Sequence, residues 1–540
     1  LNHGVQHQAQ SWGDEHAPNI DINASERITV VKGANTLKYG SDAIGGLILI
    51  EPKKYAVKDS LFGSTISSFN SNGFGGNINS EIVKTYKSGL YAKLQANYKQ
   101  FGDFKTPDYY LTNSGLKSIN TSFRIGYNGY EKGLSAYYSF VDNEIEAYKR
   151  IKGFGKLSVQ YDLQINRRQE FDLRRGDLRN TPVIDLRLFT NSLQTDLEID
   201  YSYELKLNTG ILVRYQQNDA ISGTGTNPLI PDFDKYEAGA FATANYKLNF
   251  DTEFNAGFRY DFSRIDARKN YNLNDWQETY NYDELLFINY GLASRMPNPS
   301  ELFSDGLHHS AARIETGLLT INKEIANNFI VSLERNNDDF GFVISPYYKY
   351  IDGFIQLIPV GITTTIRGAF PVWEHNQIDA RIFGIDVDVN KKISERFNYQ
   401  GNVSLLKGDN LSDDIALIHM PSTSFTNSIS YTNKELNQLT IRLQNRTVLQ
   451  QNQFPDYNFN TFNAIQQQDV FVDISSTPPA YSLFNIQTSA VFKAFKKGSL
   501  KLEFNVDNLF DVSYRENLNR LRYFADELGR NFNLKIKINY

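Results

Sequence analysis

The sequence predicts an all-β membrane protein, a large antiparallel transmembrane β-barrel, from three observations. Long segments alternate apolar and polar residues with period two. Short turns and long polar connections succeed one another along the chain. Aromatics make up 14% of the 540 residues, with 33 Tyr and 37 Phe, while hydrophobic residues make up only 41% and mean hydropathy is -0.45. That composition fits a barrel with a lipid-facing apolar skin and a wet interior. No run approaches the ~18 apolar residues of a membrane helix, so helical spans are excluded. The absence of cysteine rules out disulfides and thiolate metal sites. A net charge of -5 argues against a nucleic-acid partner.

The N-terminal element comes first. Residues 26–53 hold a charged pair, a short β run, a Lys-Gly turn, a Tyr-Gly turn, a double glycine and an apolar strand. Glu26, Arg27, Lys32, Gly33, Tyr39, Gly40, Ala43, Gly45 and Gly46, in that spacing, resemble the closing segment of the plug domain in TonB-dependent outer-membrane receptors. Ala34 stands where that family usually has proline, and Leu49 where it usually has asparagine. The resemblance implies the C-terminal part of a plug over residues 1–55 and a barrel of about 22 strands over 56–540. It also implies that the signal peptide, TonB box and early plug lie upstream, because the chain opens at Leu1 without methionine, basic region or apolar core.

The barrel strands follow. Over 91–99, Ala92, Leu94, Ala96 and Tyr98 take one face, while Lys93, Gln95, Asn97 and Lys99 take the other. Over 500–507, Leu500, Leu502, Phe504 and Val506 oppose Lys501, Glu503, Asn505 and Asp507. Segments of roughly ten residues or more suit a tilted membrane strand better than a soluble sandwich. Tight turns fall at 87–89, 131–133 and 496–498. Long polar connections fall at 105–115, 172–182, 222–235, 300–313, 360–380, 409–422 and 451–479, and are expected on the cell exterior. Two return strands are not legible: one around 146–152, the other between 258–269 and 285–295. Residues are expected to be absent from the sequence there. At the C-terminus, Leu534, Ile536, Ile538 and Tyr540 alternate with Asn533, Lys535, Lys537 and Asn539. A last strand ending on an aromatic resembles outer-membrane barrels, as Asn508 through Tyr514 resembles a motif near the receptor C-terminus.

The seven histidines are expected at the mouth, where imidazole suits late transition metals. His3 and His7 share a face in helix or strand, with Asp14, Glu15 and His16 close by. Asp305, His308 and His309 form a second candidate metal set, and His375 and His419 are mouth candidates. A solvated loop is the competing reading for each. Residues 295–303 are similar to a signature of the family, and their continuation, with 367–373, to the zinc- and haem-related branch.

No catalytic spacing is present: no phosphate loop, no nucleophile elbow, and in 223–228 no third glycine for a dinucleotide site. The protein is therefore expected not to be an enzyme. Arg167, Arg168, Arg174, Arg175 and Arg179, beside Glu170, Asp172 and Asp177, read as a solvated loop or barrel-wall pairing. The resemblance implies an importer in the outer membrane of a Gram-negative bacterium. Its partners would be the TonB–ExbB–ExbD complex, outer-membrane lipid and a nutrient ligand. No cofactor is required, and a metal ion or metal chelate (zinc, iron-siderophore, haem or copper) is the expected cargo. The alternatives are glycan or peptide import, through aromatic loops at 108–110 and 454–462, or a signalling or adhesion receptor.

Overall fold

The computed structural model describes residues 25–540, except 32, 41–45, 53–54, 56, 113, 140–141, 152–153, 172–175, 249–252, 274–275, 292–293, 309–310, 312, 332, 337–338, 366–367, 464–466 and 495–497. His3, His7, Asp14, Glu15, His16, Lys32, Gly45 and His309 therefore lie outside the described residues.

Antiparallel strands form one closed barrel. In the strand Leu90–Phe101, Lys93, Gln95 and Asn97 are buried while Leu94 and Tyr98 are exposed. Alternation thus sends polar side chains to the lumen and apolar ones to the lipid, the inverse of a soluble core. Closure pairs Ser60–Asn70 with the last strand, Asn531–Asn539, from Ser64↔Asn539 to Asn70↔Asn533. Gly63 and Tyr540 exchange backbone hydrogen bonds of 2.9 and 3.0 Å across that seam. A Cβ on Gly63 would stand 2.5 Å from both the Tyr540 ring and the Glu81 carbonyl. Gly63→Val is therefore expected to cost about 1–3 kcal/mol by overpacking. The measurement is the fraction of heat-modifiable, folded barrel on a semi-native gel.

Both return strands expected to be missing are present. Asp142–Ile151 runs back between Lys132–Ser139 and Gly155–Glu170, and Trp276–Gly291 runs back along Glu253–Leu273. The first was obscured because its outgoing partner has only eight residues, so one hairpin reads as a single strand. The connection expected at 360–380 is also a strand pair. Phe340–Thr365 and Gly368–Lys392 form one hairpin, paired from Phe340↔Lys391 to Thr365↔Gly368. Ile362, Thr363, Thr364 and Thr365 are β-branched and favour that extended form. Its first strand has 26 residues, roughly 85 Å at ~3.3 Å per residue. Even tilted, the hairpin stands well clear of a ~30 Å hydrocarbon layer.

The plug segment is a strand pair, Ser25–Val31 with Leu47–Pro52, bridged by a turn of 3-10 helix, Gly33–Tyr39. Arg27 donates two hydrogen bonds to Glu51, at 2.6 and 2.9 Å, fixing the pair's end. The 3-10 turn meets the barrel wall, where Lys38 pairs with Asp196 and Arg259 Nη1 donates to the Leu37 carbonyl at 2.9 Å. Gly40 and Gly46 have φ of 127° and 115°, a region that favours glycine.

Candidate functional site

One buried apolar cluster joins the start of the strand Ile184–Asp200 and the residues leading into Asp232–Lys247 to the segment 302–321. Leu186, Leu188, Ile230, Phe233, Leu302 and Phe303 belong to it, each at most 4% exposed. Leu302 and Phe303 arrive on the short helix Pro299–Phe303. An ion-pair clamp holds that helix. Arg295 Nη1 donates to both Glu301 oxygens at 2.9 Å, and Arg295 Nε donates to Glu324 at 2.5 Å. Glu301 also accepts from the Asn298 backbone N–H, at 2.7 Å, satisfying a donor at the helix start. The 295–303 signature therefore acts as a positioning device for the two apolar residues.

Beyond the helix, Asp305–His308 pairs with Arg313–Thr316. The second of these strands also pairs, in parallel, with the tall hairpin, Glu315 opposite Trp373. His308 is 1% exposed. Its Nδ1 lies 2.9 Å from Glu315 Oε1, and its Nε2 lies 3.9 Å from Glu170 Oε1. Arg313 Nη2 reaches the same Glu315 oxygen at 2.6 Å, and Arg168 pairs with Glu170 at 2.5 Å. Burial works against the charge on Glu315, but His308 and Arg313 outweigh it and hold the carboxyl at about 2. Within the basic stretch, Arg168 pairs with Glu170 and Arg167 with Asp185 at 2.8 Å, while Arg174 and Arg175 lie outside the described residues. Asp305 is exposed, and its backbone N–H donates to the Leu229 carbonyl at 3.2 Å. His308 faces Glu315 and Glu170. Among the described residues, no group of three or more His, Asp or Glu is placed to hold a metal ion.

Arg313 leads to a cavity of about 240 Å³ on the outer side of this network. Trp373 forms part of its wall, with the Arg313 guanidinium 5.5 Å from its ring centre. His419 stacks on Trp373 at 5.5 Å with an interplanar angle of 12°. Three further loops converge here, supplying His419, then Asp473 and Ile474, then Arg520, Tyr523 and Phe524. They are tied together. Tyr523 donates to the Ile474 carbonyl at 3.0 Å, and Asn517 donates to the Met420 carbonyl at 2.8 Å. Burial, then the charges of Arg520, Arg522 and Arg313, push the His419 imidazole down to about 3. His419 also has φ of 57°, a left-handed conformation uncommon outside glycine.

Of the mouth candidates, His419 thus reaches the cavity. His375 lies two residues from Trp373 on the tall hairpin, so the two share a face. The buried Nδ1 of His375 has no hydrogen-bond partner in the described structure. In the aromatic loop at 108–110, the Tyr109 hydroxyl accepts from the Asp526 N–H at 2.7 Å, a tie between loops. Sequence reasoning touched Trp373 only within the 367–373 resemblance and missed Arg313, Arg520, Tyr523 and Phe524. The signal for the last three was the density of arginine and aromatic residues over 520–524.

Because the His419 pKa is depressed, the neutral ring's contribution to the folded mouth is present above about 6.5 and is lost as pH falls through about 3. Acidifying the receptor should therefore leave Trp373 emission flat through pH 6.5. The stack should open only well below that value. A fluorescence midpoint near 6.5 would contradict this environment.

The model of the TonB dependent receptor-like β-barrel matches residues 55–509, and that of the TonB-dependent receptor plug domain matches residues 1–47. No curated protein matches the chain. The fold is similar to that of the copper transporter OprC, at 18% identity and TM-score 0.77, covering 100% of this chain and 92% of that one. It is also similar to the FrpB iron transporter from Neisseria meningitidis, at 14% identity and TM-score 0.70, covering 97% and 90%. The siderophore receptor PirA from Acinetobacter baumannii follows at 15% identity and TM-score 0.65, covering 96% and 85%.

Proposed function

From the premise that the chain belongs to the TonB-dependent receptors of the Gram-negative outer membrane, which are not enzymes, we propose that it imports a metal carried as an anionic chelate. The barrel supplies the passage and the plug its closure. The family works with the TonB energy-transducing system, and ExbB–ExbD are the expected inner-membrane partners. The observation that carries the cargo reading is the charge of the mouth. Arg313 and Arg520 line the cavity, and Arg522 lies beside them with its guanidinium 4.9 Å from the Tyr523 ring. A bare divalent cation would be repelled there, while an anionic complex would be drawn in. The described residues offer no three-donor group for a naked ion, in keeping with this. The similar structures named as copper, iron and siderophore receptors support metal cargo.

The test is metal accumulation by cells expressing the full-length receptor, supplied with iron, copper or zinc as simple salts or as preformed anionic chelates. Uptake of a chelate should require the receptor and should stop when the inner-membrane proton gradient is collapsed. Receptor-dependent uptake of the salts alone would sink the chelate reading.

A further inference from the structure

We propose that the periplasmic end of the hairpin formed by Lys132–Ser139 and Asp142–Ile151 binds an anionic glycerophospholipid of the surrounding leaflet through its phosphate. This inference is independent of the cargo reading.

Strand register creates a repulsion that an anion would relieve. Lys132 and Lys149 stand directly opposite one another in the ladder. Cβ atoms at such positions are about 5 Å apart, and like charges there repel. Leu134 follows Lys132 by two residues and is exposed, so both lysines share its lipid-facing side. Ser135 and Glu144, on the opposite side of the same strands, are buried in the lumen. Among the described residues, neither lysine has an ion-pair partner. Other lysines at this end of the barrel have one: Lys84 lies 2.5 Å from Asp59, and Lys392 lies 2.6 Å from Glu395.

Depth sets the class of ligand. The turn before Lys132 is a tight one, at the end of the barrel away from the long connections, and so lies at the periplasmic surface. Lipid phosphates lie at that level, where basic and tyrosine side chains meet them. Arg150 adds a third cation, its guanidinium 5.7 Å from the ring centre of Tyr130, which is 86% exposed. Against these three cations the turn holds one acid, Glu131. Deeper in the membrane, Ala147 stands between Leu134 and Val159 in the lipid-facing row. A small residue flanked by larger ones gives an acyl chain a shallow track to pack along. A free anion would gain from the lysines alone, whereas a lipid gains from both.

The cations are held in place before any ligand arrives. The Tyr148 hydroxyl donates to the Gly129 carbonyl at 2.6 Å, and the Arg150 N–H donates to the Glu131 carbonyl at 2.6 Å. Less freedom is then lost on binding. The same turn touches the segment leading from plug to barrel, where Asn128 Nδ2 donates to the Tyr55 carbonyl at 3.2 Å. A bound lipid would therefore steady the plug's attachment as well as the wall.

The test uses the full-length receptor in nonionic detergent, with phosphatidylglycerol as the probe. Phosphatidylethanolamine is the zwitterionic control, and inorganic phosphate the control without chains. Native mass spectrometry counts retained lipids, and heat-modifiable gel mobility gives the unfolding temperature. The expected result is one phosphatidylglycerol held at least tenfold more tightly than phosphatidylethanolamine. It should raise the unfolding temperature, and phosphate should not. Lys132→Gln with Lys149→Gln should abolish the preference, while Lys434→Gln with Lys493→Gln, elsewhere at this end of the barrel, should leave it intact. Lys132→Glu separates lipid binding from a structural role. It turns the repulsion into an ion pair, so the lipid-free receptor should unfold at a higher temperature. Phosphatidylglycerol should then raise that temperature no further. An unmodified receptor that does not distinguish the two lipids overturns the proposal. So does one that phosphate stabilises as well as phosphatidylglycerol does, or a folded double variant that keeps the preference.

Discussion

Arg295→Ala is expected to release the helix Pro299–Phe303 from the apolar cluster while the barrel itself still forms. Arg295 bridges Glu301 and Glu324 in the clamp, and both acids are largely shielded from water. Removing one partner of a buried ion pair costs about 3–5 kcal/mol, because the charge left behind is neither paired nor hydrated. Here two carboxylates would be left facing one another. The helix Pro299–Phe303 loses its anchor, and Leu302 and Phe303 lose their fixed position in the apolar cluster. Hydrogen exchange over residues 295–321 should rise by two orders of magnitude or more, while the strands keep wild-type protection. Unchanged exchange in that segment would contradict the clamp. Arg295→Lys should rescue only in part, since an ammonium cannot span both acids with the same planar geometry.

The second large effect is a pH dependence centred on Glu315. Its folded-state pKa is about 2, against 4.5 for the ordinary side chain. A depressed carboxylate pKa contributes stability that is present above the unfolded value and lost as pH falls through the folded one. The hairpin Asp305–His308 with Arg313–Thr316 should therefore be fully held above pH 4.5 and released between 4.5 and about 2. The difference corresponds to roughly 3 kcal/mol, at ~1.4 kcal/mol per pKa unit. Glu315→Gln should remove that dependence, leaving the hairpin equally loose across the window. Limited proteolysis at a series of pH values reads this directly. A Glu315→Gln protein that still loosens between pH 4.5 and 2 would place the titration elsewhere.

The barrel was legible in the sequence because alternation is local. Lys93, Gln95 and Asn97 announce their face without reference to any distant residue, and so do Leu94 and Tyr98. The plug segment was legible because its glycines and charged pair keep a fixed spacing. Turn counting failed where local signals blur. The strand Lys132–Ser139 is short enough to merge with its neighbour, and the tall hairpin carries threonine and glycine that resemble loop composition. The site was legible only in part. His308 stood out as a residue type, but its partner Glu170 comes from another strand far back in the chain. Asp473, Arg520 and Phe524 come from two exterior loops without periodicity. Convergence of loops is a property of the closed barrel, and a linear reading has no term for it.

The pairing of Ser60–Asn70 with Asn531–Asn539 constrains how the molecule can be made. A cylinder sewn by its first and last staves cannot be assembled stave by stave into something functional. Until residues 531–539 dock, two borders of unpaired backbone donors and acceptors stand open, and hydrocarbon offers them nothing. Contacts between residues more than 450 positions apart, such as Asn72 with Asn531, form late in folding. Deleting the final strand would not give a slightly narrower pore but an unfastened sheet. A cell could thus discard the unfinished receptor by the same feature that makes the finished one durable.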